Sequence, residues 1–290
     1  MPTTYNAIDS NRRRTWILIS IFVGFVVAVG YVYGYYISGD GPYALIVALV
    51  VSLVMTVFSW FAGDKVALAT TGAQELTDRE TFPTLWNVIE NLSITAGIPK
   101  PRIYIIQDES PNAFATGRDP EHASVAVTTG LLTLMDRSEL EGVLAHELSH
   151  IKNLDIRLFM LVAVLAGTVV ILGDYAFHFG GRRRSRDEGN GGGIIAILGI
   201  IFIILSPLIA QLIKLAISRR REYLADASGA LLTRYPEGLA NALQKIKDAH
   251  LPLQRSSAAT NHLWISAPNL SNFLSTHPPI DDRITRLRAM

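Results

Sequence analysis

The chain has 290 residues and a net charge of +1, and 49% of its residues are hydrophobic. So small a net charge argues against a general affinity for nucleic acid. Cysteine is absent, which excludes a disulfide framework, a thiol nucleophile and a cysteine-ligated metal. Any metal site would therefore have to be built from His, Asp and Glu.

Four apolar runs account for the hydrophobic composition, and each is about long enough to cross a bilayer. They cover residues 15–37, 43–62, 158–179 and 194–213. The first run is longer than the apolar region of a signal peptide, and no small-residue cleavage motif follows it. We therefore expect a retained membrane anchor, and about four transmembrane helices in all.

The lysine and arginine residues that flank these runs favour a cytosolic N-terminus. The arginines between 182 and 186 lie in the loop of the second hairpin and argue against a full crossing there. Whether that hairpin spans or only dips into the membrane stays open at this point. In both cases the segments before and after it share one compartment.

Four regions follow from this pattern. A transmembrane hairpin at 1–62 precedes the first part of a catalytic domain at 63–157. A second hairpin with a loop rich in arginine and glycine covers 158–213, and the second part of the catalytic domain covers 214–290. Within the domain, helices are predicted at 79–96, 214–233, 236–249 and 279–289, and strands at 102–107, 112–116 and 123–128.

A further helix is predicted at 138–153. Ser138 and Glu141 have the spacing of a capping box. Its apolar side chains recur at helical spacing and predict one buried face; they are Leu140, Val143, Leu144, Leu148 and Ile151.

This helix contains the sequence H-E-L-S-H at 146–150. The spacing puts His146 and His150 on one helix face, where both imidazoles can bind a single metal ion. Glu147 lies beside them and is placed to act as a catalytic base toward water. The motif predicts a zinc-dependent hydrolase.

A catalytic zinc needs a third protein ligand and an open position. No third histidine follows at a suitable spacing, so the ligand must come from elsewhere, and Glu222 in R-R-E-Y-L-A-D is the best candidate. Asp226 lies one turn later and could accept the second ring proton of a zinc-bound histidine. By itself such a pair is usually a solvated helix face; together with the first motif it predicts a zinc site.

The two motifs lie at similar distances from the membrane. His150 precedes the third apolar run by eight residues, and Glu222 follows the fourth by nine. If the helices continue into the bilayer, both ligands lie roughly 12–14 Å above its face. Two separate segments therefore bring their ligands to one height.

With these residues identified, the sequence resembles the HtpX family of membrane zinc peptidases, which is related to the CAAX prenyl endopeptidases. The resemblance covers essentially the whole chain and includes P-N-A-F-A-T-G at 111–117, H-E-L-S-H-I-K-N-L-D at 146–155 and S-T-H-P-P-I-D-D-R-I at 275–284. It implies a mainly helical α+β protein with a gluzincin-type peptidase domain that faces the cytosol and binds one Zn²⁺ per chain.

The resemblance also implies roles for residues outside the zinc motifs. Asn112 and Ala113 would lie on the edge strand that receives the substrate backbone. His277 and Arg283 are candidates to stabilise the oxyanion, although His277 could instead cap the zinc in a resting state. Asp155 is expected to help end the helix and orient its neighbours.

The resemblance implies hydrolysis of peptide bonds in membrane or misfolded proteins, in protein quality control at a bacterial inner membrane. Two alternatives stay open. One is a CAAX-type processing endopeptidase that acts on lipidated C-termini. The other is a non-enzymatic membrane scaffold, in which a structural zinc would need four protein ligands.

Overall fold

The computed structural model describes residues 4–33, 41–161, 219–249, 251–253, 263–265 and 278–290. The fold is α+β and mainly helical. The helices are α1 (Thr4–Tyr33), α2 (Gly41–Thr71), α3 (Pro83–Ala96), α4 (Thr129–Leu134), α5 (Arg137–Lys152), α6 (Arg219–Thr233), α7 (Pro236–Ala249) and α8 (Ile280–Arg288). The strands are β1 (Gln74–Glu75), β2 (Arg102–Ile106), β3 (Ala113–Gly117) and β4 (Ala123–Thr128).

The four strands form one small sheet in the order β1-β2-β4-β3. The β2–β4 pair is parallel, whereas β1 pairs with β2 and β3 pairs with β4 in antiparallel orientation. Strand β3 is therefore at an edge of the sheet. Its outer side faces α5, which follows β4 and α4 in the chain.

In the part of the chain that the structure describes, one helical segment is long and apolar enough to cross a membrane, Leu45–Thr71 in α2. Its large apolar side chains are exposed over a broad face, Leu53, Val54 and Phe58 among them, and the opposite side packs on α1. An exposed apolar surface of this kind is typical of contact with lipid. The third and fourth predicted crossings fall mostly on residues 162–218, which lie outside the described residues.

The second predicted crossing ends at residue 62, but α2 continues without a break to Thr71. Near that predicted end, Trp60 lies beneath the Arg157 guanidinium and Phe61 beneath that of Arg118. Aromatic and cationic side chains in this combination are typical of a membrane–water boundary. The helix beyond them packs on the domain through the buried Ala67 and Leu68. The predicted boundary at 62/63 therefore falls inside a helix.

Helix α5 begins at Arg137, and the predicted capping box at Ser138 and Glu141 is wrong. Asp136 is the N-cap: its Oδ1 accepts a hydrogen bond from the Glu139 N–H at 2.9 Å, and Glu139 Oε2 accepts one from the Asp136 N–H at 2.9 Å. Ser138 and Glu141 have the same spacing but lie inside the helix. Both pairs satisfy the motif, and in the pair that forms the cap Glu139 also accepts a hydrogen bond from Lys245 Nζ at 2.7 Å.

Helix α5 forms the centre of the domain. It packs on α3, α6, α7 and β3, and its five predicted apolar residues are all buried in one core cluster. The approach to α7 is close, since a Cβ at Gly142 would lie 2.5 Å from the Leu239 nitrogen. The helix that bears H-E-L-S-H is thus held from several sides.

Other boundaries are near their predicted positions. Helix α7 spans the predicted 236–249, and the three predicted strands are displaced by at most one residue at an end. Helix α3 begins later than predicted, at Pro83, because Asp78 accepts hydrogen bonds from Glu80 and Thr81 and holds that segment in a turn.

Candidate metal centre

Three side chains from two helices converge beside β3. His146 and His150 come from α5 and Glu222 from α6, and all three are buried. Their candidate ligand atoms lie within 4.8 Å of one another. The His146 and His150 Nε2 atoms are 3.2 Å apart, and Glu222 carboxylate oxygens lie 3.8 Å and 3.7 Å from them.

These separations suit a zinc ion. Zinc binds nitrogen and oxygen at about 2.0–2.2 Å, so ligand atoms at tetrahedral positions are about 3.4 Å apart. The three separations lie close to this value. A His₂Glu set with a remaining open position is the arrangement of catalytic zinc in metallopeptidases.

The orientation of both imidazoles supports the same conclusion. His146 Nδ1 lies 3.0 Å from Asp226 Oδ1, and His150 Nδ1 lies 3.0 Å from Asp155 Oδ2. Carboxylates accept hydrogen bonds, so each Nδ1 carries the ring proton and each Nε2 presents a lone pair. Two lone pairs and a carboxylate then face one another in a buried space, and a shared cation relieves their repulsion.

Asp226 holds His146 as part of a larger charged group. Arg283 donates to both Asp226 oxygens, from Nε at 2.9 Å and from Nη2 at 2.7 Å. Burial alone would raise the pKa of Asp226, but Arg283 and His146 lower it to about 2. The carboxylate thus stays ionised and continues to accept from His146.

Asp155 holds His150 from the opposite side and comes from the turn that ends α5. Leu154 has φ of 60°, which is left-handed backbone and uncommon for a residue with a side chain. This turn brings Asp155 back toward His150, where it is 1% exposed. Burial alone would lower the pKa of His150, but without a metal Asp155 and the negative charge of Glu222 raise it to about 9. A metal ion that binds Nε2 therefore replaces a proton there.

Glu147 lies between the two ligands in sequence and is also buried. Burial raises the pKa of this carboxyl group to about 7, against the opposing charge of His150 and with a further contribution from Glu222. The backbone of Ala115 in β3 donates a hydrogen bond to it. The edge strand and the candidate base are therefore in direct contact.

Strand β3 is present where the edge strand was predicted, and its role toward a substrate stays a prediction. Its outward groups have partners inside the chain. The Ala113 carbonyl accepts a hydrogen bond from the Ile265 N–H at 3.0 Å, and the Ala113 N–H donates to Asn112 Oδ1 at 3.1 Å. Trp264 packs edge-on against Phe114 with ring centroids 4.8 Å apart. Residues 263–265 therefore lie along the edge that a substrate would use.

Small residues allow α5 and α6 to bring the ligands together. Ala225 is fully buried, and a Cβ at Gly229 would lie 3.0 Å from the His146 nitrogen and 3.2 Å from the Ala145 carbonyl carbon. The two helices therefore approach each other closely at these two positions. This approach places Glu222 opposite the two histidines.

The sequence profile of peptidase family M48 matches residues 79–290. The chain belongs to this family. The match contains both zinc motifs and excludes only the N-terminal hairpin and the segment that follows it. The predicted resemblance to a family of metallopeptidases is confirmed.

Curated relatives extend the similarity to the whole chain. A protease HtpX homolog of Dictyoglomus thermophilum is 48% identical over 294 residues, which is 99% of this chain and 95% of the relative. One of Thermoanaerobacter pseudethanolicus is 44% identical over 298 residues, with 99% and 98% covered. The crystal structure of S. mikatae Ste24p has a similar fold, with a TM-score of 0.52, 18% identity, and 98% and 67% of the two chains covered.

Several residues of this M48 site were not identified from the sequence. Asp155 was expected to orient neighbours, but its contact with His150 was not predicted. Its other contacts were not predicted either: Asp155 Oδ1 accepts a hydrogen bond from Asn11 Nδ2 at 2.7 Å and lies 3.5 Å from Arg221 Nε. Arg283 has its donors directed at Asp226 and at the Ile265 carbonyl. His277 lies outside the described residues, and its role remains a prediction.

Proposed function

We propose that this M48 peptidase is a membrane-bound zinc endopeptidase that cleaves membrane or misfolded proteins at the cytosolic face of a bacterial inner membrane. The convergence of His146, His150 and Glu222 around one point, with Glu147 adjacent, carries this proposal. Each chain would hold one Zn²⁺. Bound there, zinc would acidify water and polarise the carbonyl group of the scissile peptide bond.

The chain's own groups supply the remaining chemistry. Glu147 takes a proton from the attacking water and returns it to the leaving amine. Asp226 and Asp155 keep each ring proton on Nδ1, so that both Nε2 atoms stay available to the metal. Arg283 holds Asp226 in place, and we assign it a positioning role; stabilisation of the oxyanion by Arg283 or His277 remains a prediction.

The substrate would bind as an added strand along β3. Strand addition uses main-chain hydrogen bonds and asks little of the substrate side chains. Ala113 would supply these bonds beside Glu147, and Asn112 would hold the start of the strand. The substrate has to compete for the Ala113 carbonyl with Ile265, so access to the strand depends on residues 263–265.

The position of the domain relative to the apolar surface of α2 favours substrates that lie close to the bilayer. The exposed apolar surface of α2 ends near Trp60, where arginines of the domain contact its aromatic residues. Beyond this level α2 packs directly on the domain that contains the metal site. A short distance between the membrane and the site suits membrane proteins and their cytosolic loops.

The decisive experiment compares full-length wild type, Glu147→Gln and Glu141→Gln in detergent, each freed of metal with a chelator and then given zinc. Glu141 is on the same helix and pairs only with Arg137 at the surface among the described contacts. We expect zinc-dependent casein cleavage by wild type and Glu141→Gln. Glu147→Gln should bind one zinc and lose cleavage.

Two further outcomes separate the alternatives. Cleavage restricted to a prenylated peptide would indicate the CAAX-type processing enzyme. Zinc binding without hydrolysis, with a cobalt spectrum typical of four protein ligands, would indicate the scaffold. Equal casein cleavage by Glu147→Gln and wild type would contradict the mechanism.

A further inference from the structure

We propose that Asn11, in the N-terminal helix α1, is a positioning residue for the metal centre and acts through Asp155 on the ligand His150. The proposal rests on the proposed function, because it assigns a role toward the same zinc site. It makes α1, which contains the first predicted membrane anchor, part of the support of the metal centre. An anchor alone would require no such contact.

The amide of Asn11 is buried against the end of α5. It is 3% exposed, and its Nδ2 donates to Asp155 Oδ1 at 2.7 Å and to the Asn153 carbonyl at 2.8 Å. An amide NH₂ group has two protons, so both can be used at once. These contacts join residues more than 140 positions apart in sequence.

The two oxygens of Asp155 are divided between the ligand and its support. Oδ2 faces His150 at 3.0 Å, whereas Oδ1 accepts from Asn11 and lies 3.5 Å from Arg221 Nε. Rotation of the carboxylate would break the bonds on both oxygens. Asn11 therefore fixes the plane from which Asp155 holds the imidazole.

The second bond of Asn11 fixes the turn that delivers Asp155. Asn153 is the C-cap of α5, and the next residue, Leu154, has φ of 60°. A left-handed residue with a side chain costs about 1–3 kcal/mol unless its surroundings hold it. The bond from Asn11 to the Asn153 carbonyl is one such restraint.

Helix α1 presents one face to the domain. Asn11, Thr15 and Leu18 are buried, at the spacing of one helix face, whereas Arg12, Arg13 and Trp16 are exposed. Leu18 packs in the cluster that contains Ala67 and Phe114. This packing sets the rotation of α1 and so directs Asn11 to Asp155.

The test is the zinc dissociation constant of the full-length protein in detergent, measured by chelator competition without substrate. Asn11→Ala should weaken zinc binding about 10-fold, the lower end of the effect of groups that support a ligand. Thr15→Val is the control: Thr15 is buried one turn further on, and its hydrogen bond stays within α1. It should bind zinc like the wild type.

A residue exchange separates positioning from packing. Asn11→Asp alone sets two carboxylates against each other and should weaken zinc binding more than Asn11→Ala does. Combining it with Asp155→Asn restores the hydrogen bonds that link residue 11, residue 155 and His150, because the new amide can donate to residue 11 and accept from His150. The bond to the Asn153 carbonyl stays lost in both Asn11→Asp and the double variant. The double variant should bind zinc more tightly than Asn11→Asp. Loss of packing alone would not be rescued in this way.

The outcomes distinguish this proposal from the function itself. Wild-type zinc affinity in both single variants, or no recovery in the double variant, would overturn the role of Asn11. Zinc binding by the wild type without hydrolysis would overturn the proposed function and leave the affinity test in force. A wild type that binds no zinc would overturn both.

Discussion

His146 and His150 occupy successive turns of one helix, yet they are held by opposite parts of the molecule. His146 is held by Asp226, which shares α6 with the ligand Glu222 and is bound by Arg283 of the C-terminal helix. His150 is held by Asp155, which follows α5 directly and is bound by Asn11 of α1. One set of contacts leads from the candidate ligands toward residues 263–265, and the other leads toward α1.

The contacts that hold Asp226 and those that hold Asp155 differ in kind. Asp226 and its partners lie within the domain and include the ion pair with Arg283. Loss of these contacts should therefore lower both the stability of the fold and the affinity for zinc. The Asp155 side has a longer ion pair, with 3.5 Å between Arg221 Nε and Asp155 Oδ1, and it depends on a bent turn and on α1. Loss of these contacts should therefore affect metal binding more than the fold. Variants on the two sides should therefore differ in how much they change stability and how much they change zinc affinity.

Replacing Arg283 by methionine should have the largest effect. Asp226 would keep a buried negative charge without its partner, and breaking a buried ion pair from one side costs about 3–5 kcal/mol. Thermal unfolding in detergent should move to a much lower temperature, and zinc affinity should fall as well. Arg286→Met is the matched control, since Arg286 lies over Tyr223 on the same helix and should change little. If Arg283→Met unfolded at the same temperature as the wild type, the Arg283–Asp226 ion pair would contribute little to stability.

Replacing Asp155 by alanine should affect the metal more than the fold. Loss of a carboxylate that orients a zinc ligand typically weakens metal binding 10–100-fold. Unfolding of the metal-free protein should change much less than in Arg283→Met. Asp119→Ala is a suitable control because Asp119 pairs with the surface histidine His122, away from the metal. Equal loss of stability in Asp155→Ala and Arg283→Met would remove the distinction between the two sides.

The sequence predicted one of these two sides and not the other. Glu222 and Asp226 are one turn apart on a helix, so their common face can be read from spacing, as can that of His146 and His150. Asp155 follows the end of α5, and its position depends on the φ of Leu154, which residue spacing does not reveal. The contact that Asn11 makes is still harder to predict from the sequence, because a polar residue before an arginine run gives no sign of a contact 142 positions away.

Residue spacing likewise predicts some parts of the fold and misses others. Helices with an apolar face and strands rich in β-branched residues were located within a few residues of their ends. The cap of α5 was misassigned because Asp136 with Glu139 and Ser138 with Glu141 satisfy the same motif. The course of α2 past residue 62 was missed because the apolar run ends there, although helical backbone needs no apolar side chains to continue.

Replacing Gly229 by alanine should perturb both sides by a smaller amount. The added Cβ would lie 3.0 Å from the His146 nitrogen, so α6 must shift by a few tenths of an ångström. Overpacking of this kind costs about 1 kcal/mol where the neighbour can move. We expect a modest loss of stability, with a measurable change in the spectrum of cobalt bound in place of zinc. Ala227→Gly, on the same helix, is a control for the effect of helix propensity on stability. An unchanged cobalt spectrum in Gly229→Ala would contradict the link between the spacing of α5 and α6 and the geometry of the ligands.

Replacing Ile265 by proline should have the smallest effect on zinc affinity, because the carbonyl that accepts from Arg283 Nη1 stays in place. Ile265 packs in the core, so both this variant and Ile265→Ala should lose some stability. The proline substitution removes the N–H that binds the Ala113 carbonyl, a bond worth about 1 kcal/mol, so a peptide substrate should reach that carbonyl more easily. KM should fall about fivefold, the factor that corresponds to this free energy, with zinc affinity unchanged. Ile265→Ala removes the side chain but keeps the N–H, and its KM should stay closer to that of the wild type. If both variants changed KM equally, the side chain of Ile265 would control access to β3, and the backbone hydrogen bond would not.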